Sequence, residues 1–299
     1  MAGGPPRLTH MKGYFDITGD GGSNVEAQVV AKRSRIATSL GAVRHMLAVG
    51  SGKGGVGKST LAMQLALALR AGGAEVAILD ADLNGPSQAR MAGLGATPLL
   101  PGEDGLVLPH SSFGIGVVSM GLVVPEPQAL DFDSVAQGDT YVWRATREFA
   151  LLGDLLAGVA WGALDYLLID LPPGAERITQ YAEFLGAETA ILLVTIPSDL
   201  SRGVVSRSIA ALAKTPNRVV GYVENMKGYL CGDCGSIRPL FAESNAIDLG
   251  IPCIGTVPFD PDLAAACDRG EPLPAEDGSP TWRAVANVAR RIRQTLEAS

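Results

Sequence analysis

Three groups of residues in this sequence have types and spacings that could do chemistry. The first is Gly50-Ser-Gly-Lys-Gly-Gly-Val-Gly-Lys-Ser-Thr60, in which Gly52 to Ser59 satisfies G-x-x-x-x-G-K-[ST]. Glycines at this density let the backbone curl until its N–H groups point inward, and a helix starting at the loop adds positive potential. The residues Gly52, Gly54, Gly55, Val56, Gly57, Lys58, Ser59 and Thr60 are thus expected to cradle phosphate. Lys58 would neutralise the β and γ oxygens of a nucleotide, and the Ser59 hydroxyl would ligate Mg²⁺. The second group is acidic: Asp80 and Asp82 in ILDADLNGPS and Asp170 in YLLIDLPPG follow apolar runs. A carboxylate at a strand end beside a phosphate loop suits Mg²⁺ or its waters, which assigns that task to Asp170 and the orientation of an attacking water to Asp82. An aspartate after a strand also often caps a helix, an alternative that applies to Asp80 above all. Pro172, Pro173 and Gly174 predict a stiff turn whose glycine N–H faces a γ-phosphate. The third group is Cys231-Gly-Asp-Cys234. Two thiolates two residues apart can bite one metal or cluster, Gly232 and Gly235 relieving the tight turn.

Such residues work only if the fold brings them together. Short apolar runs recur at HMLAVG (45–50), EVAILD (75–80), GIGVVSM (114–120), YLLIDL (166–171), TAILLVTI (189–196), RVVGYVEN (218–225) and PCIGTVP (252–258). Each is apolar at successive positions, as strands covered on both faces must be. Helix-like segments at 59–71, 144–160 and 199–213 lie between several of them. This rhythm predicts an α/β fold with a doubly wound, mostly parallel sheet flanked by helices, and ligands at the carboxyl ends of the strands. Residues 1–24 read as a flexible tail and 25–299 as a single domain, with the C-x-x-C segment at 229–241 and Pro- and Gly-rich excursions at 84–113 and 121–142.

Composition removes several classes of function. With 24 Lys+Arg against 31 Asp+Glu and a formal net charge of -7, the chain lacks the basic surface that a general nucleic-acid binder needs. Residues 1–24 hold no apolar run suited to secretion, and no stretch approaches a membrane span. The apolar stripe Trp282, Val285, Ala289, Ile292 and Leu296 beside Arg290, Arg291 and Arg293 fits packing on its own domain better than a lipid surface. Four cysteines are too few for a disulfide framework, so a reducing cytoplasm is the expected compartment. His10, His45 and His110 form no ligand spacing. Cys253 and Cys267 read as small hydrophobes in an apolar strand and a helix. A second copy of the chain is therefore the simplest source of two further thiolates. After the later strands stands Val223-Glu224-Asn225-Met226-Lys227 rather than the guanine-reading N/T-K-x-D, which favours ATP.

The second lysine of the loop, Lys53, gives a K-G-G-V-G-K-[ST] form that resembles the MinD/ParA group of ATPases, whose extra lysine reaches across a nucleotide-sandwich dimer. With LDADLNGPS, WGALDYLLIDLPPG, VTIPSDL, VENMKGYLCGDCG and GTVPFDPDL, the chain resembles the Mrp (ApbC-like) iron–sulfur cluster carriers of that group over about residues 45–270. The resemblance implies a P-loop NTPase with weak ATPase activity, a homodimer binding a [4Fe–4S] cluster between its subunits, and apo iron–sulfur proteins as clients. It also implies that Asn225 contacts adenine and that residues from Pro258 to Asp260 flank the base. Two stretches depart from the family: Trp143-Arg-Ala-Thr146 replaces W-R-G-P, and Gly174 is followed by Ala175-Glu-Arg177 rather than T-G-D. The residues alone leave other readings open. These are a partitioning or positioning ATPase with a structural Zn²⁺ on the Cys pair, a ligase that phosphorylates a carboxylate, and a redox dithiol.

Overall fold

The computed structural model describes residues 25–83, 85–95, 97–119, 122, 140–241, 249–271 and 278–298; the expected tail and most of the 121–142 excursion lie outside them. In chain order the elements are α1 (Val25–Ser39), β1 (Val43–Ser51), α2 (Lys58–Ala71), β2 (Val76–Asp80), α3 (Gln88–Met91), β3 (Leu106–Val107), β4 (Gly116–Val118), α4 (Thr140–Gly158), β5 (Val159–Ala160) and β6 (Leu164–Asp170). They continue with α5 (Ala175–Leu185), β7 (Thr189–Thr195), α6 (Asp199–Leu212), β8 (Val219–Glu224), β9 (Tyr229–Leu230), β10 (Ile237–Arg238), β11 (Cys253–Thr256), α7 (Pro261–Asp268) and α8 (Pro280–Glu297).

The seven apolar runs of the sequence are the seven strands of one sheet, in the order β11-β8-β7-β1-β6-β2-β4, and every pairing in it is parallel. Alternate side chains of each strand enter different cores. Leu47, Val49, Ile78, Leu168, Leu192 and Val194 pack with α2, α7 and α8. Ala48, Leu79, Leu167, Ile169, Ile191 and Leu193 pack with α4, α5 and α6. Both faces are covered, so the strands carry no polar alternation. From β1 the chain passes through α2 to β2 on one side, whereas β7, β8 and β11 build outward on the other. The crevice of such a reversal opens at the strand ends, where β1, β2 and β6 place the phosphate loop, Asp80 and Asp170.

Helix α8 lies against α2, β8 and β11, burying Trp282, Val285, Ala289, Ile292 and Leu296. Exposing one such aliphatic side chain costs about 1.5–3 kcal/mol, so the stripe is committed to the domain. Among the described residues no helix is long and apolar enough to cross a membrane. One expectation needs correction. Cys253 opens β11 but is exposed, because β11 is the edge strand and its first residue turns outward. Cys267 is buried in α7, as expected.

Candidate functional site

The loop between β1 and α2 is held open from three sides. Gly52 lies so close to α6 that an added Cβ would stand 2.5 Å from Val204 Cγ1. Gly57 precedes α2 at φ +74°, a left-handed conformation that a β-carbon disfavours. The Asn225 side chain donates through Nδ2 to the Val56 carbonyl at 2.9 Å. Among the described residues no backbone N–H from Gly54 to Gly57 donates to another protein group. Their donors, next to the start of a 14-residue helix, suit an anion.

Beneath the loop, Lys58 is buried and donates through Nζ to Asp170 Oδ1 and to Ser59 Oγ, the latter at 3.1 Å. Its ammonium stands in for a cation between a hydroxyl and a carboxylate, the hard oxygen donors that Mg²⁺ takes, so these residues fit that ion. Mg²⁺ there would supply charge neutralisation for a nucleotide's phosphates. Asp80 is fully buried and accepts from the backbone N–H of Ser87 at 2.8 Å, of Gln88 at 3.0 Å and of Asp82 at 3.2 Å, and from the Ser119 hydroxyl at 3.1 Å. Burial, with the Asp170 carboxylate close by, pushes it up to about 7 against the lowering effect of those amides. Asp80 thus holds the segment leading into α3, whose N-cap is Ser87 and not Asp80. Asp82 follows at the site's margin, accepting from Gly85 N–H at 3.3 Å. Lys53 has no ion-pair partner among the described residues and is half-buried in the loop.

The turn after β6 differs from expectation. Gly174 N–H donates to Ser51 O at 2.8 Å, so it closes the turn onto β1 instead of facing the phosphate space. The departure at Arg177 has a physical counterpart. Arg177 pairs with Glu148 of α4 and lies over the Tyr181 ring, 5.5 Å from its centroid. The Tyr181 hydroxyl, pushed upward by burial and by Glu148, reaches the Ala81 carbonyl at 3.1 Å, next to Asp82. Where the family pattern has a hydroxyl and an acid, this chain ties α4, α5 and the end of β2 together.

A cleft beside the loop is lined by Gly57, Gln64, Asn225, Pro258, Phe259 and Leu263, so Asn225 and Pro258 share one apolar slot of a kind that suits a flat base. Its wall continues into the Cys segment. Lys227 N–H donates to Val257 O at 2.9 Å, Phe259 N–H to Gly228 O at 2.7 Å and Leu230 N–H to Phe259 O at 2.9 Å. Beside this ladder, Glu224 pairs with Arg202 and Lys227; burial raises it, but those two cations outweigh burial and hold it low. Strands β9 and β10 then form an antiparallel hairpin, and Cys231 N–H to Ser236 O at 3.0 Å closes its tip around both cysteines. Cys234 is exposed, Cys231 half-buried, and the same stretch of chain exposes Tyr229, Ile237 and Leu240. Among the described residues no group of three or more His, Cys, Asp or Glu is placed to hold a metal.

The Ser236 hydroxyl, 2.9 Å from Cys234 Sγ, together with the Ser236 backbone and Cys231, brings the Cys234 thiol down to about 7. In the metal-free protein, iodoacetamide will therefore label Cys234 with a half-maximal rate near pH 7. Cys267, pushed up to about 11 by burial, stays unlabelled there. Peptide mass spectrometry across a pH series checks both, and a Cys234 midpoint at the ordinary thiol value of about 8.5 would contradict the stabilised thiolate. A central residue absent from the motifs is Gln88, fully buried between Ser59 and Asp170.

Comparison with known proteins agrees with this geometry. The family model described as ParA, "NUBPL iron-transfer P-loop NTPase", matches residues 42–293. A chicken (Gallus gallus) protein named cytosolic Fe-S cluster assembly factor NUBP2 is 37% identical over 280 residues, covering 89% of this chain and 96% of that one. An iron-sulfur cluster carrier protein of Saccharolobus solfataricus is 33% identical over 282 residues, covering 92% of each. A nucleotide-binding protein from Archaeoglobus fulgidus, solved in complex with ADP, superposes with a TM-score of 0.67 at 32% identity, over 84% of this chain and 95% of that one. The cell-division ATPase MinD of Pyrococcus furiosus shares the fold at 20% identity with a TM-score of 0.56, over 84% of this chain and 98% of that one. The chain belongs to the ParA family of P-loop NTPases, within its NUBPL iron-transfer group.

Proposed function

We propose that this protein is an ATP-dependent carrier of an iron–sulfur cluster, which it takes up as cargo on Cys231 and Cys234 and passes to apoproteins. The observation that carries this reading is the hairpin: two thiols at its tip, one exposed and one half-buried, on a backbone ladder continuous with the wall of the nucleotide cleft. Two thiolates are half of a four-thiolate set, so a [4Fe–4S] cluster is assigned to the junction of two copies, the apolar Tyr229, Ile237 and Leu240 lying within it. The relatives named as iron–sulfur carriers and assembly factors support the same cargo. In this reading residues 25–299 are one nucleotide-binding domain acting in the cytoplasm. Gly52 to Thr60 hold the phosphates, Ser59 and Asp170 serve Mg²⁺, and Asn225 and Pro258 flank adenine. Lys53 acts across the dimer on the transferred phosphoryl group, and Asp82 orients the attacking water. Hydrolysis is slow and coupled to loading or release of the cargo.

Anaerobic reconstitution with iron and sulfide tests the assignment. The native chain will gain visible charge-transfer absorbance with stoichiometric sulfide per dimer, and the Cys231→Ser/Cys234→Ser variant will gain neither while keeping nucleotide affinity. Iron undiminished in the variant would sink the reading. Tightly held zinc without sulfide would make the Cys pair structural and favour a partitioning ATPase.

A further inference from the structure

Gln88 bonds to Asp80 and Asp170 of the nucleotide site and to its phosphate loop helix, although it belongs to none of the motifs. Its backbone N–H donates to Asp80 Oδ2 at 3.0 Å, and its side-chain Nε2 donates to Asp170 Oδ2 at 2.8 Å and to the Ser59 carbonyl at 3.0 Å. The orientation of the amide is fixed by chemistry, since both neighbours are acceptors and only the NH₂ end can face them. Asp170 is thereby held on one oxygen by Gln88 while its other oxygen faces Lys58. Rotation of the carboxylate would break the Gln88 bond, so Oδ1 stays aimed at the space between Ser59 and Asp170.

We propose that Gln88 is the positioning residue of the metal site. It presets Asp170 and the first turn of α2 for Mg²⁺ and couples that site to the Asp80–Gln88 loop.

A filler role is a poor account of the side chain. Its Oε1 is buried with no hydrogen-bond partner, a desolvation that a methionine of similar length would not incur. Glutamine at this position weakens the core as packing and gains only as a donor to Asp170 and Ser59. The inference rests on the nucleotide site alone, so it can fail while the cluster carrier reading stands, and the reverse.

The test uses the full chain with Gln88→Met. Mn²⁺ affinity is read by electron paramagnetic resonance in the presence of a non-hydrolysable ATP analogue. Binding of a fluorescent ATP analogue is read with Mg²⁺ and with EDTA, and thermal unfolding is followed in parallel. Loss of a bond that orients a metal ligand predicts Mn²⁺ affinity weaker by about 10-fold or more, with nucleotide affinity in EDTA changed less than about 2-fold. The unfolding midpoint will fall as well, because the buried Asp170 Oδ2 loses its Gln88 donor. Unchanged Mn²⁺ affinity with a lower midpoint would make Gln88 a packing residue and overturn the proposal. Equal losses of nucleotide affinity with Mg²⁺ and with EDTA would also overturn it, since they indicate a distorted phosphate loop. If the methionine variant does not fold, Gln88→Asn carries the same measurements, because it keeps the backbone bond to Asp80 and withdraws the amide by one methylene.

Discussion

Lys58→Met will destabilise the nucleotide-free protein by about 3–5 kcal/mol, as breaking one half of a buried ion pair does, and will lower ATP turnover by at least about 10²–10³-fold. The Lys58 and Asp170 side chains are 7% and 0% exposed, so water cannot replace the lost partner. Methionine keeps the aliphatic stem, which confines the change to the ammonium group. Among the described residues Asp170 would retain only the Gln88 donor, leaving a charge nearly unpaired in a low-dielectric setting. The double variant Lys58→Met/Asp170→Asn removes that charge and will recover stability to within about 1 kcal/mol of the parent, whereas turnover will stay lost. Urea denaturation and steady-state phosphate release on the parent and the two variants separate the effects. A single variant as stable as the parent would show that the pair holds nothing in place. The pair of variants thus separates the contribution of Lys58 to the buried ion pair from its proposed part in turnover.

Much of this was legible in the sequence because the sheet is parallel and covered on both faces. Runs such as TAILLVTI and YLLIDL fit strands covered on both faces, and β1 pairs with β6 so that Lys58, at the start of α2, meets Asp170 at the end of β6. The short pairings were not legible. Strands β3, β5, β9 and β10 are two residues each, and their order comes from tertiary hydrogen bonds such as Phe259 N–H to Gly228 O. The donor role expected of Gly174 failed for a related reason: a backbone N–H is indifferent to sequence, and the nearest acceptor, Ser51 O, is set by how β1 and β6 align. Gln88 carries no motif signal because its importance lies in which acceptors surround it. Cys253 misled because a strand residue's exposure depends on whether its strand lies at the edge of the sheet. At Arg177 the sequence showed that a family pattern was missing, but only the fold shows the Glu148–Arg177–Tyr181 contact that occupies the place.

Gly57→Ala will cost about 2–3 kcal/mol and abolish tight nucleotide binding, and Gly55→Ala provides the control that identifies the cause. The two glycines share nearly the same backbone, φ +76° at Gly55 and φ +74° at Gly57. A left-handed conformation forced on alanine costs about 1–2 kcal/mol at either position. Their surroundings differ: a Cβ on Gly55 would meet nothing within 4 Å, whereas one on Gly57 would stand 2.4 Å from Asn225 Nδ2 and 3.3 Å from Met226 Cε. Asn225 Nδ2 is the donor that holds Val56 O, so the new methyl must expel the amide that shapes the loop, losing a further hydrogen bond of about 1 kcal/mol. The excess of Gly57→Ala over Gly55→Ala therefore measures the Asn225 contact. Adding Asn225→Ala to Gly57→Ala removes the clash but not the strain, so the double variant will be more stable than the sum of the single effects predicts, by about 1 kcal/mol. Urea denaturation of the four variants, with titration of a fluorescent ATP analogue, gives both quantities. Strict additivity would show that Asn225 yields without cost. The loop's shape would then be an intrinsic property of its glycines rather than one imposed by Asn225.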